Sequence, residues 1–406
     1  MKILLADKLS PSVAIFLKKN QCQVIEDPSL KEASLLHALT QHQPEVLVVR
    51  STKVPRDHIL QCSSLALIIR AGAGVNNIDL KTASERGVFV ANCPGRNAIA
   101  VAELAIGHMI NLDRKISDNV SDFRSGIWAK KKYSKAKGLH GKKLALFGLG
   151  AIGTEVLRRA KAFGMEVTVW SVPFSPEEAK ERQVRFAASP QEAATGADIL
   201  SVHLPLVDQT RGIVDHSVLA KLNDSAFVIN TSRGELINEE ALQSAIESKN
   251  LRAGLDVFCN EPASNDNEVS SPLSLNQNIY VTHHIGASTE QATDSVGTAV
   301  ISIVAAWKEK GEVLNCVNLA QSTPADHCLT VRHADQVGVL ANVLEALKST
   351  GHNVQEMENI IFQGGTAACA RIQIVGQPST SLLQTINQLP HVYASSVSRL
   401  NEGDHS

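Results

Sequence analysis

The chain has 406 residues, 44% of them hydrophobic and 20% charged, with a formal net charge of −2 at pH 7. That length suits two or three globular domains with sizeable cores, and the near-neutral balance gives no global attraction to nucleic acid or a membrane surface. No apolar run reaches membrane-spanning length, and the start of the chain, MKILLAD, reads as a first strand rather than a signal peptide.

Residues 2–7 read as a strand, 11–19 as a helix, 24–26 as a strand, 31–42 as a helix and 46–50 as a strand. Further strands are expected at 65–70 and 88–92. Strands alternating with helices argue for a parallel, doubly wound sheet, which binds ligands beyond the C-terminal ends of its strands. Arg50-Ser51-Thr52-Lys53 and Arg70-Ala71-Gly72-Ala73-Gly74-Val75-Asn76-Asn77 sit at such ends. Basic side chains beside a glycine-rich loop can hold a carboxylate or phosphate, although an arginine at a surface turn needs no ligand. Residues 97–112 read as a strong helix leading into the next segment. The run WAKKKYSKAK that follows, with Lys131 and Lys132 near its centre, has the composition of a solvated face. Its functional alternative is a patch that attracts an anionic substrate, including one bound by a neighbouring subunit.

The centre of the chain carries the most specific signal. A short apolar strand at 144–147 is followed by Gly148, Gly150 and Gly153 in G-x-G-x-x-G spacing. A helical pattern (Ile152, Val156, Ala160, Phe163) and a second strand at 165–170 come next. This strand–turn–helix–strand context is what a dinucleotide fingerprint requires. Its glycines allow a tight turn, close approach of a pyrophosphate, and helix-on-strand packing. The anion would sit on the amides of Ala151 and Ile152 at the positive helix end. Where an acidic residue normally meets the adenosine ribose, the chain has Ser171. Val172 and Pro173 follow, with no Arg to bind a 2′-phosphate, so NAD is preferred over NADP.

Four later strands, at 197–205, 226–234, 252–258 and 279–286, end in His203, Arg233, Asp256 with Glu261, and His284. Each residue alone has an ordinary structural reading, but four together beside a nucleotide fingerprint point to a site. Seven scattered cysteines with no C-x-x-C pair read as reduced thiols of a cytoplasmic protein, and no metal is called for.

Together these stretches resemble the D-isomer-specific 2-hydroxyacid dehydrogenases. The similarity rests on the glycine fingerprint, Asn230-Thr231-Ser232-Arg233-Gly234, Leu255-Asp256-Val257-Phe258 with Glu261-Pro262, and His284-Ile285-Gly286-Ala287-Ser288-Thr289. Arg70 to Leu80 and Asn92-Cys93-Pro94-Gly95-Arg96-Asn97 are similar to its substrate-loop and hinge segments. The resemblance implies a flavodoxin-like substrate domain from residues 1–97 and 287–318, with a Rossmann nucleotide domain, 98–286, inserted between them. It implies Arg233, Glu261 and His284 as catalytic residues. Arg233 would bind the substrate carboxylate, His284 would transfer the proton, and Glu261 would fix the His284 tautomer. Asp256 would orient the nicotinamide. NAD would contact Gly148, Gly150, Ala151, Ile152, Gly153, Ser171, His203, Leu204, Pro205, Thr231, Ser232, Arg233, Asp256, His284 and Gly286. His283 stands where the family has proline, outside the triad.

Residues 326–401 form a separate unit, with Ser322 to His327 as linker and a βαββαβ order (strand 328–333, helix 339–349, strands 354–362 and 367–375, helix 379–389, strand 393–400). This resembles the ACT domain, an amino-acid-sensing module. The resemblance implies a regulatory site between two such domains, made by His333, Asp335 and Asn353, with L-serine as effector and a homo-oligomer as the assembly. A 2-hydroxyacid dehydrogenase with this tail implies a phosphorylated 2-hydroxy acid, 3-phosphoglycerate, as substrate. Arg50, Ser51, Lys53, Arg70, Ala73, Gly74, Lys131 and Lys132 would then form its pocket. The alternatives are a glyoxylate or hydroxypyruvate reductase of the same family, an NAD(H)-sensing corepressor-like binding protein, and a catalytically silent amino-acid-binding protein.

Overall fold

The computed structural model describes residues 1–259, 261, 273 and 276–400, so Pro262 of the Glu261-Pro262 motif and residue 401 lie outside the described part. The chain divides into two compact units, 1–318 and 319–406.

The first unit holds two parallel sheets. The first runs β2-β1-β3-β4-β5, from β1 (Lys2–Leu5), β2 (Gln23–Glu26), β3 (Val46–Val49), β4 (Leu67–Arg70) and β5 (Phe89–Asn92). Helices α1 (Pro11–Lys19), α2 (Glu32–His42), α3 (Arg56–Leu60) and α4 (Leu80–Glu85) connect its strands. Successive residues of β1 and β3 serve opposite faces. Ile3, Leu5, Val46 and Val48 join one core, while Leu4, Leu47 and Val49 join the other. A sheet covered on both faces needs this continuous apolar run rather than polar alternation. Each such Leu, Ile or Val, taken fully out of water, contributes about 1.5–3 kcal/mol.

A long helix, α5 (Ala98–Arg114), leads away from the first sheet. Next come α6 (Ile116–Arg124) and the short α7 (Lys130–Tyr133), which the charge run forms. The second sheet is β12-β11-β10-β9-β6-β7-β8, all parallel. Its strands are β6 (Lys143–Phe147), β7 (Glu166–Trp170), β8 (Arg185–Phe186), β9 (Ile199–Val202), β10 (Phe227–Asn230), β11 (Arg252–Leu255) and β12 (Ile279–Val281). The strand order reverses between β6 and β9, the switch point where open α/β sheets bind ligands. Helix α8 (Ala151–Ala162) follows β6 and packs with α5 on one face, in a core that includes Met109, Leu112, Val156 and Ala160. Further helices that the sequence does not signal also flank the sheets, among them α3, α4 and α6; a helix this short carries too little periodicity to read.

The chain then returns to the first sheet. Helix α9 (Glu290–Lys310) lays Val296, Ala299, Val300, Ile303 and Val304 into the same core as α1 and β1. Beyond it, Asn315–Asn318 lies along the outer edge of β5. Asn92 N–H donates to Asn315 O, Val317 N–H to Val90 O, and the Asn318 side chain accepts from Val90 N–H while donating to Val88 O.

The second unit is a four-stranded antiparallel sheet, β14-β15-β13-β16, with two helices packed on one face. Its elements are β13 (His327–Ala334), α10 (Val339–Ser349), β14 (Val354–Ile361), β15 (Ala367–Ile374), α11 (Thr380–Asn387) and β16 (Val392–Arg399). This is the βαββαβ order expected from the sequence, except that β13 already begins at His327, a residue read as linker. Among the described residues no helix is long and apolar enough to cross a membrane.

Candidate active site

A cleft of about 470 Å³ opens in the first unit, beyond the C-terminal ends of both parallel sheets. Arg50, Arg70 to Asn76, Gly150 to Ile152, His203 to Leu206, Thr231 to Arg233, Asp256, His284 and Gly286 are among its lining residues.

The glycine loop forms one wall. Gly148 has φ +90°, and a Cβ there would stand 2.3 Å from His203 O, so the turn from β6 into α8 admits no side chain. Gly148 N–H donates to Trp170 O, and Leu149 N–H to the Ser171 hydroxyl at 3.0 Å. Ser171 therefore braces the loop from the end of β7. A Cβ on Gly150 would meet nothing within 4 Å. Backbone at the start of α8 is thus open to a ligand, as pyrophosphate binding at a helix N-terminus requires.

Across the switch point, His203 is buried, with Nε2 against Ser201 Oγ at 2.8 Å and Nδ1 without a partner. Burial lowers its titration to about 3, so the ring is neutral. Thr231 Oγ1 is likewise buried and unpartnered. Unsatisfied polar atoms on a cleft wall normally await a ligand or water. Together with the open Gly150 backbone, they fit a bound dinucleotide.

The loop after β10 is fixed from within. Asn230 accepts from Ser232 N–H at 3.0 Å and donates to Arg233 O at 2.8 Å, while Ser232 Oγ donates to Val202 O. Arg233 thereby enters the cleft from a rigid turn. Two further guanidinium groups meet it there. Burial pushes the Arg70 guanidinium down to about 10, and the charges of Arg233 and Arg50 lower it further than Cys93 and Asp7 raise it. Among the described residues none of the three arginines has an ion-pair partner, and Arg70 Nε is buried without a hydrogen bond. Arg50 is aimed by Asp7, whose carboxylate accepts from the backbone of Arg50, Ser51 and Thr52. Its Nη2 donates to Ala287 O at 3.3 Å.

His284 follows β12. Its Nδ1 lies 2.6 Å from Glu261 Oε2, and Glu261 Oε1 accepts from Phe258 N–H at 3.1 Å. Burial raises the Glu261 carboxyl, but the hydrogen bond and charge of His284, Phe258 N–H and the charge of Arg233 hold it below the usual carboxylate range. The His284 side chain is 48% exposed, and its backbone has φ +50°. A left-handed residue with a side chain costs roughly 1–2 kcal/mol and persists only where its surroundings over-determine it. Asp256 supplies that constraint. It is 0% exposed, its main-chain carbonyl accepts from His284 N–H, and its carboxylate accepts from Thr282 Oγ1, Ile285 N–H and Gly286 N–H.

Not every expected residue reaches the cleft. Lys53 is exposed and does not line it. Lys131 and Lys132 stand on α7, where Lys132 pairs with Asp122 and Tyr133; within one chain they form a solvated surface rather than a cleft wall. Gly148, Gly153, Ser51 and Ser171 support the lining without joining it. Asn76, Asn97 and Leu206 do line it; none has a charge or a motif spacing to single it out in the sequence. In the second unit Asp335 and Asn353 are exposed, whereas His333 is 1% exposed, with Nδ1 near Ala334 O and Nε2 near Asn359 Oδ1.

Comparison with known proteins agrees with this geometry. Residues 106–286 match the NAD binding domain of the D-isomer specific 2-hydroxyacid dehydrogenases. The chain is 37% identical to the D-3-phosphoglycerate dehydrogenase of Methanocaldococcus jannaschii, over 79% of this chain and 60% of that protein. It therefore spans less than two thirds of that relative. It is 40% identical to the hydroxypyruvate reductase of Thermotoga maritima, over 66% of this chain and 85% of that protein. The solved NAD+-bound 3-phosphoglycerate dehydrogenase of Entamoeba histolytica superposes with a TM-score of 0.66 at 26% identity, covering 79% of this chain and 99% of that one. With the glycine loop, the three arginines and the Glu261–His284 pair around one cleft, and a 40% identical relative covered over most of its length, the chain belongs to the D-isomer specific 2-hydroxyacid dehydrogenase family.

Proposed function

We propose that this chain is a D-3-phosphoglycerate dehydrogenase, oxidising 3-phosphoglycerate to 3-phosphohydroxypyruvate in L-serine synthesis. The observation that carries this reading is the convergence of Arg50, Arg70 and Arg233 on one cleft without a paired carboxylate. Like charges crowded at a partly buried site disfavour one another, and an anion with two acidic groups relieves them. A carboxylate and a phosphate on a three-carbon substrate supply that charge.

In this reading residues 1–97 with 287–318 form the substrate domain, 98–286 the nucleotide domain, and 326–401 an ACT regulatory domain. NAD, held along the Gly150–Ile152 backbone, His203 and Thr231, supplies the hydride acceptor. Arg233 binds the substrate carboxylate through its planar fork, leaving Arg70 and Arg50 for the phosphate. His284 takes the hydroxyl proton at Nε2, since Nδ1 is committed to Glu261, whose charge stabilises the imidazolium. The working form is a homo-oligomer, and an amino-acid effector, L-serine, binds at Asp335 and Asn353. His333 joins that site only by giving up Asn359 or Ala334.

The test is initial rates with phosphohydroxypyruvate and NADH, with and without L-serine, against hydroxypyruvate and glyoxylate. Preference for the phosphorylated acid supports the reading, and inhibition by serine supports the regulatory site. A second reading, hydroxypyruvate reduction, has the 40% identical Thermotoga relative in its favour and predicts the reverse preference.

A further inference from the structure

Helix α5 carries a histidine into an apolar packing surface. His108 is 4% exposed, with neighbours on the helix such as Ala105, Met109 and Leu112 in the core. Its ring lies against β11 at Gly254. A Cβ there would stand 2.8 Å from that of His108 and 3.0 Å from its Nδ1. The middle of a buried strand therefore forgoes a side chain so that an imidazole can fit.

The ring is not merely accommodated. His108 Nε2 lies 3.1 Å from Thr282 Oγ1, and Thr282 Oγ1 lies 2.5 Å from Asp256 Oδ1. A carboxylate only accepts, so the Thr282 hydroxyl proton points to Asp256, and its lone pair accepts from His108 Nε2–H. Burial lowers the titration of His108 and the charge of Asp256 raises it, with burial the larger effect. The relay ends on the residue whose carboxylate holds Ile285 and Gly286 and whose carbonyl holds His284.

We propose that His108 is a positioning residue: through Thr282 it fixes Asp256, and through Asp256 the left-handed backbone that aims His284 into the cleft. The inference rests on the reading of His284 as the proton-transfer residue. It also gives Asp256 a task besides orienting the nicotinamide, since both its carboxylate oxygens are engaged by the histidine loop.

The experiment compares His108→Leu, which removes the donor, with His108→Gln, which keeps an N–H near the Nε2 position, both in the full chain. Thr282→Val breaks the same relay at its middle link should His108→Leu fold poorly. Two readouts are taken. In the absence of substrate, hydrogen exchange of the Ile285 and Gly286 amides should quicken in His108→Leu and Thr282→Val and stay near wild type in His108→Gln. With substrate, kcat should fall roughly 10- to 100-fold in the first two variants at nearly unchanged KM, with recovery in His108→Gln. Wild-type exchange and kcat in His108→Leu would overturn the proposal. Equal losses in the Leu and Gln variants would also overturn it, since they would mean packing alone. Exchange is independent of substrate identity. Failure of the wild type to turn over any of the tested acids would therefore sink the functional reading while leaving the relay decided by its own measurement.

Discussion

At the scale of single residues, the site consists of side chains whose remaining freedom is small. His284 has one ring nitrogen committed to Glu261 and a backbone held in an unfavourable conformation by Asp256. Replacing it by alanine should lower kcat by about 10²–10⁴-fold in steady-state assays, the usual share of a general acid–base. Glu261 makes a pH prediction. Its native carboxyl lies below the ordinary range. The contribution of the pair is therefore complete above the unfolded value of about 4.3 and is lost only as pH falls through the lowered native one. Wild-type reduction should hold into the ordinary carboxylate range. Glu261→Gln keeps a hydrogen-bonding partner for Nδ1 but removes the counter-charge. Its reductive rate should thus fall off on the alkaline side at lower pH than in the wild type. A full pH profile checks this, and coincident alkaline limbs would separate the charge of Glu261 from proton transfer.

At the scale of elements, the turn from β6 into α8 separates two jobs that one motif combines. A methyl at position 153 would lie 2.0 Å from Gly148 O, whereas one at position 150 would stand in open space. Gly153→Ala should therefore lower the melting temperature as well as NADH affinity, while Gly150→Ala should weaken NADH binding at nearly native melting temperature. Thermal unfolding followed beside NADH titration distinguishes them. Much of this architecture was legible in advance. Buried parallel strands are written as short apolar runs, and ligand-binding groups follow directly at their ends, as Arg233 and His284 do. The boundaries erred mainly by including the first residues of the following loops. His108 was not legible, because an isolated histidine within AIGHMINL reads as one more core position, and its partner Thr282 lies just beyond β12, 174 residues away. The service of Asp7 to the Arg50 loop was hidden for the same reason. That Lys131 and Lys132 stand away from the cleft of their own chain was not legible either, because charge density is visible in a sequence and direction is not.

At the scale of the whole molecule, each unit owns its core: two sheets with four apolar clusters in the first, one cluster in the second. The last residues of the first unit have a further consequence. The amides and carbonyls along the outer side of β5 are taken up by Asn315–Asn318. A strand without such a neighbour offers a template on which another chain can add, and native sheets cover or charge such borders. A chain ended at Asn318 should remain monodisperse or form defined oligomers in light scattering, whereas one ended at Leu314 should self-associate without limit as concentration rises. Four residues remote from the chemistry thus act as a selvedge, keeping the sheet from being woven into its neighbours.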